Sequence, residues 1–332
     1  MTSLAPPHRR LSADTITAPA GALAALLMLA AAPASAAPAD AAARAHWRDA
    51  LARISLPSGA CFKASYPDIA WTRVACGRAP QKPYIPRHAA SLASAGQLTG
   101  DGKDYAAVVS HLITQGAGSF PSLTGLKTEK GSGESNTYSL QLNSNFFTTT
   151  VCNGASNPSS CLGWQQFVYS NSGEAFMQYW LLDYGNRCPS GGWMAYSGDC
   201  YRNSAAVDVP VQALTQLADL AVTGTAVANG TDKMVLTTAT SAYTTTGADS
   251  VVRLAEGWTQ SEYNVVGDGG GSEAKFNTGT SITVMIALTD GATTAPICEA
   301  DDGTTGETNN LNLGACTTFS GATPSVSFVE SH

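Results

Sequence analysis

Two stretches carry polar side chains where β-strands are otherwise apolar. Gly163–Gly185 (GWQQFVYSNSGEAFMQYWLLDYG) reads as two aromatic-rich strands joined by a Ser-Asn-Ser-Gly turn, and Trp258–Gly267 (WTQSEYNVVG) as one more. Gln165, Gln166 and Gln178 sit in the first, Gln260 and Glu262 in the second. Alternation sets Gln178 on the face opposite Met177 and Tyr179, and Glu262 opposite Ser261 and Tyr263. Two readings follow. Either the sheet has one wet face and these residues meet solvent, or a carboxylate and an amide face each other across a groove walled by aromatics. In the second arrangement the carboxylate can take a proton from water and return it to a leaving group. The amide NH2 can donate to an oxygen on which negative charge develops.

Other chemistries are narrowed by what is missing. The histidines are His8, His46, His88, His111 and His332, so the β-rich region holds none before its last residue. A Ser-His-Asp, Cys-His or histidine-zinc site wholly inside that region is excluded. No Cys-x-x-Cys occurs, and no glycine-rich phosphate loop is followed by lysine. Charge is uneven: residues 37–120 carry 9 Lys/Arg against 5 Asp/Glu, and residues 121–332 carry 7 against 19. An acidic body disfavours nucleic acid and anionic membrane as partners. The basic N-terminal segment suits it as a neutralising cover, which acid would loosen by protonating the body's carboxylates.

The elements around these residues fit an exported β protein. Arg9 and Arg10, an apolar run over Ala18–Ala32 and Pro33-Ala-Ser-Ala-Ala37 form a secretory signal peptide over residues 1–36, which predicts a secreted, extracellular chain. The eight cysteines all lie beyond it, an even number that predicts four disulfides. Sequence neighbours pair as Cys61–Cys76, Cys152–Cys161, Cys188–Cys200 and Cys298–Cys316, although eight cysteines allow 105 connectivities. Residues 39–56 have helical composition, and Val209–Leu220 repeats apolar residues every three. From Thr137 on, many short strands between Gly, Asn, Asp and Ser turns predict an antiparallel β-sandwich or barrel. This gives a small disulfide-stapled segment over 37–130, propeptide-like or a domain in its own right, and a β-sandwich over 137–332. A polar linker over about 123–136 reads as exposed and cleavable.

The region from about Tyr138 to Glu330 resembles the glutamic peptidases (eqolisins). Gly163-Trp164-Gln165-Gln166 stands where the family has a Trp-Val-Gly-Ile-type strand, and Phe176-Met177-Gln178-Tyr179 where it has Leu-Gln-Thr-Gly. Ser261-Glu262-Tyr263-Asn264-Val265-Val266 matches the family's Ala-Glu-Trp or Ala-Glu-Phe strand. The Thr-Gly after the family's glutamine is Tyr179-Trp180 here, and its Trp-Tyr-Glu-Trp-Tyr-Pro segment is reduced to Trp193-Met194-Ala195-Tyr196. The resemblance implies an all-β, concanavalin or lectin-like sandwich. It implies a secreted acid endopeptidase with a polypeptide substrate, no cofactor and no metal, in which Glu262 is the general base and Gln178 orients water and binds the oxyanion. Trp164, Tyr179, Trp193, Tyr196 and Trp258 are the candidate substrate-binding aromatics, with Trp164 equally readable as a core indole. Asp183, Glu256 and Asp268 are secondary carboxylates. The acidic stretch Glu299–Glu307 reads as a solvated loop or a calcium site. Two other functions stay open: a non-catalytic carbohydrate-binding or adhesive sandwich, and a glycoside hydrolase in which a second carboxylate faces Glu262.

Overall fold

The computed structural model describes residues 38–87, 98–131 and 134–332. The signal peptide read over residues 1–36 lies outside them. The described chain is a two-sheet, largely antiparallel β-sandwich with one α-helix, Pro38–Arg53, and short 3-10 turns. The first sheet runs across as Met194–Tyr196, Asp199–Asn203, Glu174–Leu182, Leu162–Ser170, Tyr138–Ser144, Gln260–Gly267, Ala106–Val108 and Ile297–Glu299. The central path of the second is Thr308–Phe319, Ser325–Ser331, Ser281–Thr289, Gln115–Thr124, Ala221–Thr225, Thr231–Thr237 and Ser241–Ala248. Among the described strands, only Glu273–Ala274 pairs in parallel, against Thr308–Phe319.

Alternation explains which residues fill the space between the sheets. Phe167, Tyr169, Met177, Tyr179, Leu140, Leu142 and Tyr263 point inward from the first sheet and meet Val222, Met234, Leu236, Ile282, Val284 and Ile286 of the second. The Ser281–Thr289 strand buries every second residue, as its SITVMIALT pattern requires. Leu162–Ser170 and Glu174–Leu182 are instead buried on both faces. The outer face of the first sheet is therefore covered, not wet. Val209–Leu220 is not an α-helix: Leu214–Asp219 is 3-10, whose three residues per turn match the three-residue spacing of Leu214, Leu217 and Leu220.

The residues before Arg87 wrap both sheets. Trp47 and Leu51 of the helix pack on Ala64, Val235 and Ala242. The buried Lys233 ammonium donates to the carbonyls of Ala52 and Ile54, where the helix dipole favours a cation. Cys61–Ser65 pairs with Ser241–Ala248, lengthening the second sheet, and Gly77–Arg78 pairs with Ala205–Asp208 of the first. Residues 98–131 contribute differently. Gln115–Thr124 lies between Ala221–Thr225 and Ser281–Thr289 in the middle of the second sheet, so it is part of the sandwich. Disulfides join Cys61 to Cys76, Cys152 to Cys161, Cys188 to Cys200 and Cys298 to Cys316.

Two glycines let the sheets approach. A Cβ on Gly118 would lie 2.0 Å from the ring of Tyr263, and one on Gly224 would lie 2.4 Å from the ring of Phe167. Both rings are fully buried and have no free direction in which to yield. Gly118→Ala is expected to cost about 2–3 kcal/mol through overpacking. Urea unfolding measures this directly, and an unchanged midpoint would contradict the close contact.

Candidate active site

Strand register places five polar residues in one transverse row. Glu262 pairs with Asn143, Asn143 with Gln166, Gln166 with Gln178, and Gln178 with Asn203. Directly opposed residues share a face, so the row crosses the outer face of the first sheet. Gln178 and Glu262 thus look the same way, but they are not neighbours. Three strand spacings separate their backbones, about 14 Å at about 4.8 Å per spacing.

Glu262 is 1% exposed. Its Oε2 accepts from Asn143 Nδ2 at 3.2 Å, Thr304 N at 2.7 Å, Thr304 Oγ1 at 3.0 Å and Thr305 N at 3.2 Å. Its Oε1 has no donor, and neither does Asp104 Oδ2. The two carboxyls are hydrogen-bonding partners when one of them is protonated. Burial, and then Glu262 and Glu330, push the Asp104 carboxyl well above the usual range, so Asp104 is the member of the pair that holds a proton. Asn264 Nδ2 ties Asp104 Oδ1 to Glu330 Oε2, at 2.9 and 3.2 Å. Direct carboxyl contact leaves no room for a sugar between Asp104 and Glu262, since glycosidase pairs stand about 5–9.5 Å apart.

Gln178 is held by a strap, residues 79–87, which crosses the outer face as irregular chain with a bend at Gln81–Lys82 and a bridge from Pro86 to Thr305. Gln178 Oε1 accepts from Tyr84 N at 2.7 Å and Trp180 Nε1 at 2.9 Å. Its Nε2 donates to Lys82 O at 3.2 Å and Asn203 Oδ1 at 2.8 Å. The strap continues with Asn203 Nδ2 donating to Pro80 O at 2.8 Å, Gly270 N to Pro83 O at 2.7 Å and Ile85 N to Glu307 Oε1 at 3.0 Å. It then pairs with the turn over Glu262: Gly306 N donates to Ile85 O at 2.8 Å, and Arg87 N to Thr304 O at 2.9 Å. Between the two ends of the row, Asn143 Oδ1 and Gln166 Oε1 accept no hydrogen bond from the protein.

Trp164 is on this face and is linked to Glu262. Its indole N–H lies 3.1 Å from Thr304 Oγ1, the hydroxyl that reaches Glu262 Oε2. Trp164 packs with Trp180, which stacks on Tyr201 and takes the edge of Tyr196. Tyr179 and Trp258 are not brought there. They point between the sheets, where Trp258 lies against Phe167 and Tyr179 reaches Met177. Trp193 packs from the side onto the inter-sheet core. Asp183 occupies a turn at φ 51°, Glu256 pairs with Arg253, and Asp268 takes Lys82 and the Tyr84 hydroxyl. In the Glu299–Glu307 stretch, Thr304, Thr305 and Glu307 turn inward as partners of the row. Among the described residues, no three His, Cys, Asp or Glu side chains are grouped to hold a metal ion.

Asn143, Gln141, Asp104, Thr304 and Thr305 are members of the site that the sequence reading passed over. Asn143 and Gln141 had a signal in the Leu-Gln-Leu-Asn alternation of Tyr138–Ser144. Asp104, Thr304 and Thr305 come from turns and had none.

No protein-family model and no curated protein matches the chain. Crystal structures of scytalido-glutamic peptidase give a distant structural likeness. The one with a peptide based transition state analog shares 12% identity at a TM-score of 0.31, over 68% of this chain and 97% of that one. The one with a transition state analog inhibitor shares 11% at 0.26, over 70% and 97%.

The buried carboxyls fix how stability should depend on pH. Burial raises Glu129, Glu307 and Glu330 to about 7, and Asp232 to about 8 with help from Asp249. Their folded values lie above the unfolded ones, so the native state holds the extra protons. Their stabilising contribution is complete below about pH 4 and is lost as pH rises through 7–8. The melting temperature is therefore expected to fall by several degrees from pH 5 to pH 8. A melting temperature that rises over that interval would refute the assignment.

Proposed function

We propose that this chain is an acid-acting endopeptidase in a latent form, with residues 38–87 as the cover and residues 98–332 as the body. The observation that carries the reading is the double contact of the Gln178 amide with the main chain of Lys82 and Tyr84. A side chain that reads an N–H and a C=O of one segment recognises polypeptide as polypeptide. The sequence resemblance to the glutamic peptidases agrees with it. A sugar-binding platform has less support, because Trp164, Trp180 and Tyr201 are buried instead of presented.

In this reading the strap lies where substrate would lie, and Glu262 is the general base. Its Oε1 accepts from no protein donor and is the oxygen available to a water, and Asn143 Oδ1 and Gln166 Oε1 are further unfilled acceptors along the row. Gln178, about 14 Å from Glu262 along the row, holds the main chain of the bound polypeptide. Asn143, whose Nδ2 lies 3.2 Å from Glu262 Oε2, is the amide near enough to donate to the oxyanion. Glu262 does not touch the strap; Thr304 and Thr305 cover it. The strap must leave and that turn must lift before the carboxylate can meet a peptide carbonyl.

Charge supports the division at Arg87. Residues 38–87 hold 8 basic against 3 acidic side chains, and residues 98–332 hold 8 against 21. Lys82 pairs with Asp268, and Arg87 with Asp302 at 3.7 Å. Burial raises Glu307 to about 7 while the hydrogen bond from Ile85 N lowers it, so that strap contact favours the ionised carboxylate and weakens as pH falls below that value. Loosening in acid also comes from protonating Asp302, the partner of Arg87, whose carboxyl burial raises above its ordinary value.

Purified mature chain incubated with a denatured protein from pH 2 to 8 should cut it only in the acid range. Activity should appear together with loss of the residues up to about Arg87, read by mass spectrometry. A full-length chain that is already active and stays uncut removes the latency. Glu262→Gln should abolish cleavage in folded protein. Asn143→Ala should lower it about 10²–10³-fold through the lost oxyanion donor, and Gln178→Ala should raise KM through the lost main-chain contacts. Cleavage that survives Glu262→Gln assigns the chemistry elsewhere.

A further inference from the structure

Tyr84 is the strap side chain that enters the first sheet most deeply. It is fully buried, with its ring against Phe176 (centroids 5.6 Å apart), Val168 and Ala206. Its hydroxyl donates to Asp268 Oδ1 at 2.5 Å and also lies against Ser170. Lys82, two residues earlier, sits over the same ring at 5.6 Å and pairs with the same carboxylate. Phe176, Val168, Ala206, Ser170 and Asp268 all belong to the body, so most of the slot remains when the strap's own contributions, Ala79 and Lys82, are set aside. It lies beside the row, because Tyr84 N is the group that Gln178 Oε1 accepts from.

We propose that this slot is the specificity pocket of the groove, built to receive a tyrosine side chain of a bound polypeptide in the place of Tyr84. The proposal rests on the peptidase reading and adds the substrate class. The walls, Phe176, Val168 and Ala206, are apolar, which suits an aromatic ring. The floor is a largely buried carboxylate, 11% exposed, which needs a donor when the pocket is filled. Phenylalanine fills the walls and leaves Asp268 without that donor, so tyrosine should be preferred about tenfold or more. A smaller residue loses the walls as well. Burial and Asp268 hold the phenol protonated far above neutral pH, so it remains a donor.

Two measurements test this on the full-length chain. Tyr84→Ala leaves a space the size of the lost side chain, and apolar-walled cavities bind small aromatics. p-Cresol should raise the melting temperature of Tyr84→Ala, relative to wild type, more than toluene does at equal free concentration. Asp268→Leu in that background, which removes the acceptor, should bring the two ligands together. In parallel, acid-treated wild-type chain is given a mixed peptide library and the products are sequenced by mass. Tyrosine should be enriched at one fixed position relative to the cut, over phenylalanine by about tenfold.

Equal stabilisation by cresol and toluene overturns the pocket's chemistry. So does cleavage enriched for lysine, arginine or no residue at every position. Cresol selectivity without cleavage at any pH keeps the pocket as a binding site for tyrosine-bearing peptides and overturns the peptidase reading alone. Should Tyr84→Ala fail to fold, the library digest decides by itself.

Discussion

The structure depends on a row of amides and one carboxylate set across the middle of a sheet that is buried on both sides. Buried donors and acceptors must be paired. Here the pairing is supplied by segments that are not strands of that sheet. The Thr304–Thr305 turn satisfies Glu262, and the strap satisfies Gln178 through its main chain. Neither cover can be withdrawn without exposing the row to water or to another polypeptide. The same fact that makes the row a candidate site also makes it hold the strap.

Burial has a second effect, on protons. Carboxyls enclosed by the fold prefer to be neutral. Asp104 beside Glu262, Glu307 under the strap and Glu330 behind Asn264 share this condition. A protein that folds around protonated carboxyls is suited to acid before any catalytic role is assigned. That preference agrees with a net charge of −7. Outside acid, so many carboxylates would repel one another at close range.

Much of this was legible from sequence, for a physical reason. Strand alternation is a local property, so the shared outward direction of Gln178 and Glu262 follows from their immediate neighbours. The four short-range disulfide pairs follow in the same way. Tyr179 shows the rule from the other side: one residue from Gln178, it belongs between the sheets, and its aromatic character does not move it. What sequence could not supply was lateral order. Nothing local says that two strands stand between Gln178 and Glu262, or that Asn143 is the amide beside the carboxylate. The roof was equally hidden, because turns such as Thr304–Glu307 have no periodicity to read. The basic charge of residues 37–120 suited them as a cover for the acidic body, with no boundary at Arg87 to be read from it. Charge alone gave neither the path of the strap nor the insertion of Tyr84.

The disulfides carry one further consequence. Their sequence separations are 15, 9, 12 and 18 residues, and Cys61–Cys76 closes entirely within the segment before Arg87. No bridge ties that segment to the rest. While the backbone is continuous, the strap meets its groove at the high effective concentration of a tethered ligand. In the proposed latent form, one hydrolysed bond beyond Arg87 would leave the segment held by its non-covalent contacts alone, the pairing of Cys61–Ser65 with Ser241–Ala248 among them. Occupancy is then governed by dilution and by the strap's own dissociation constant, and no reductant is needed to release it.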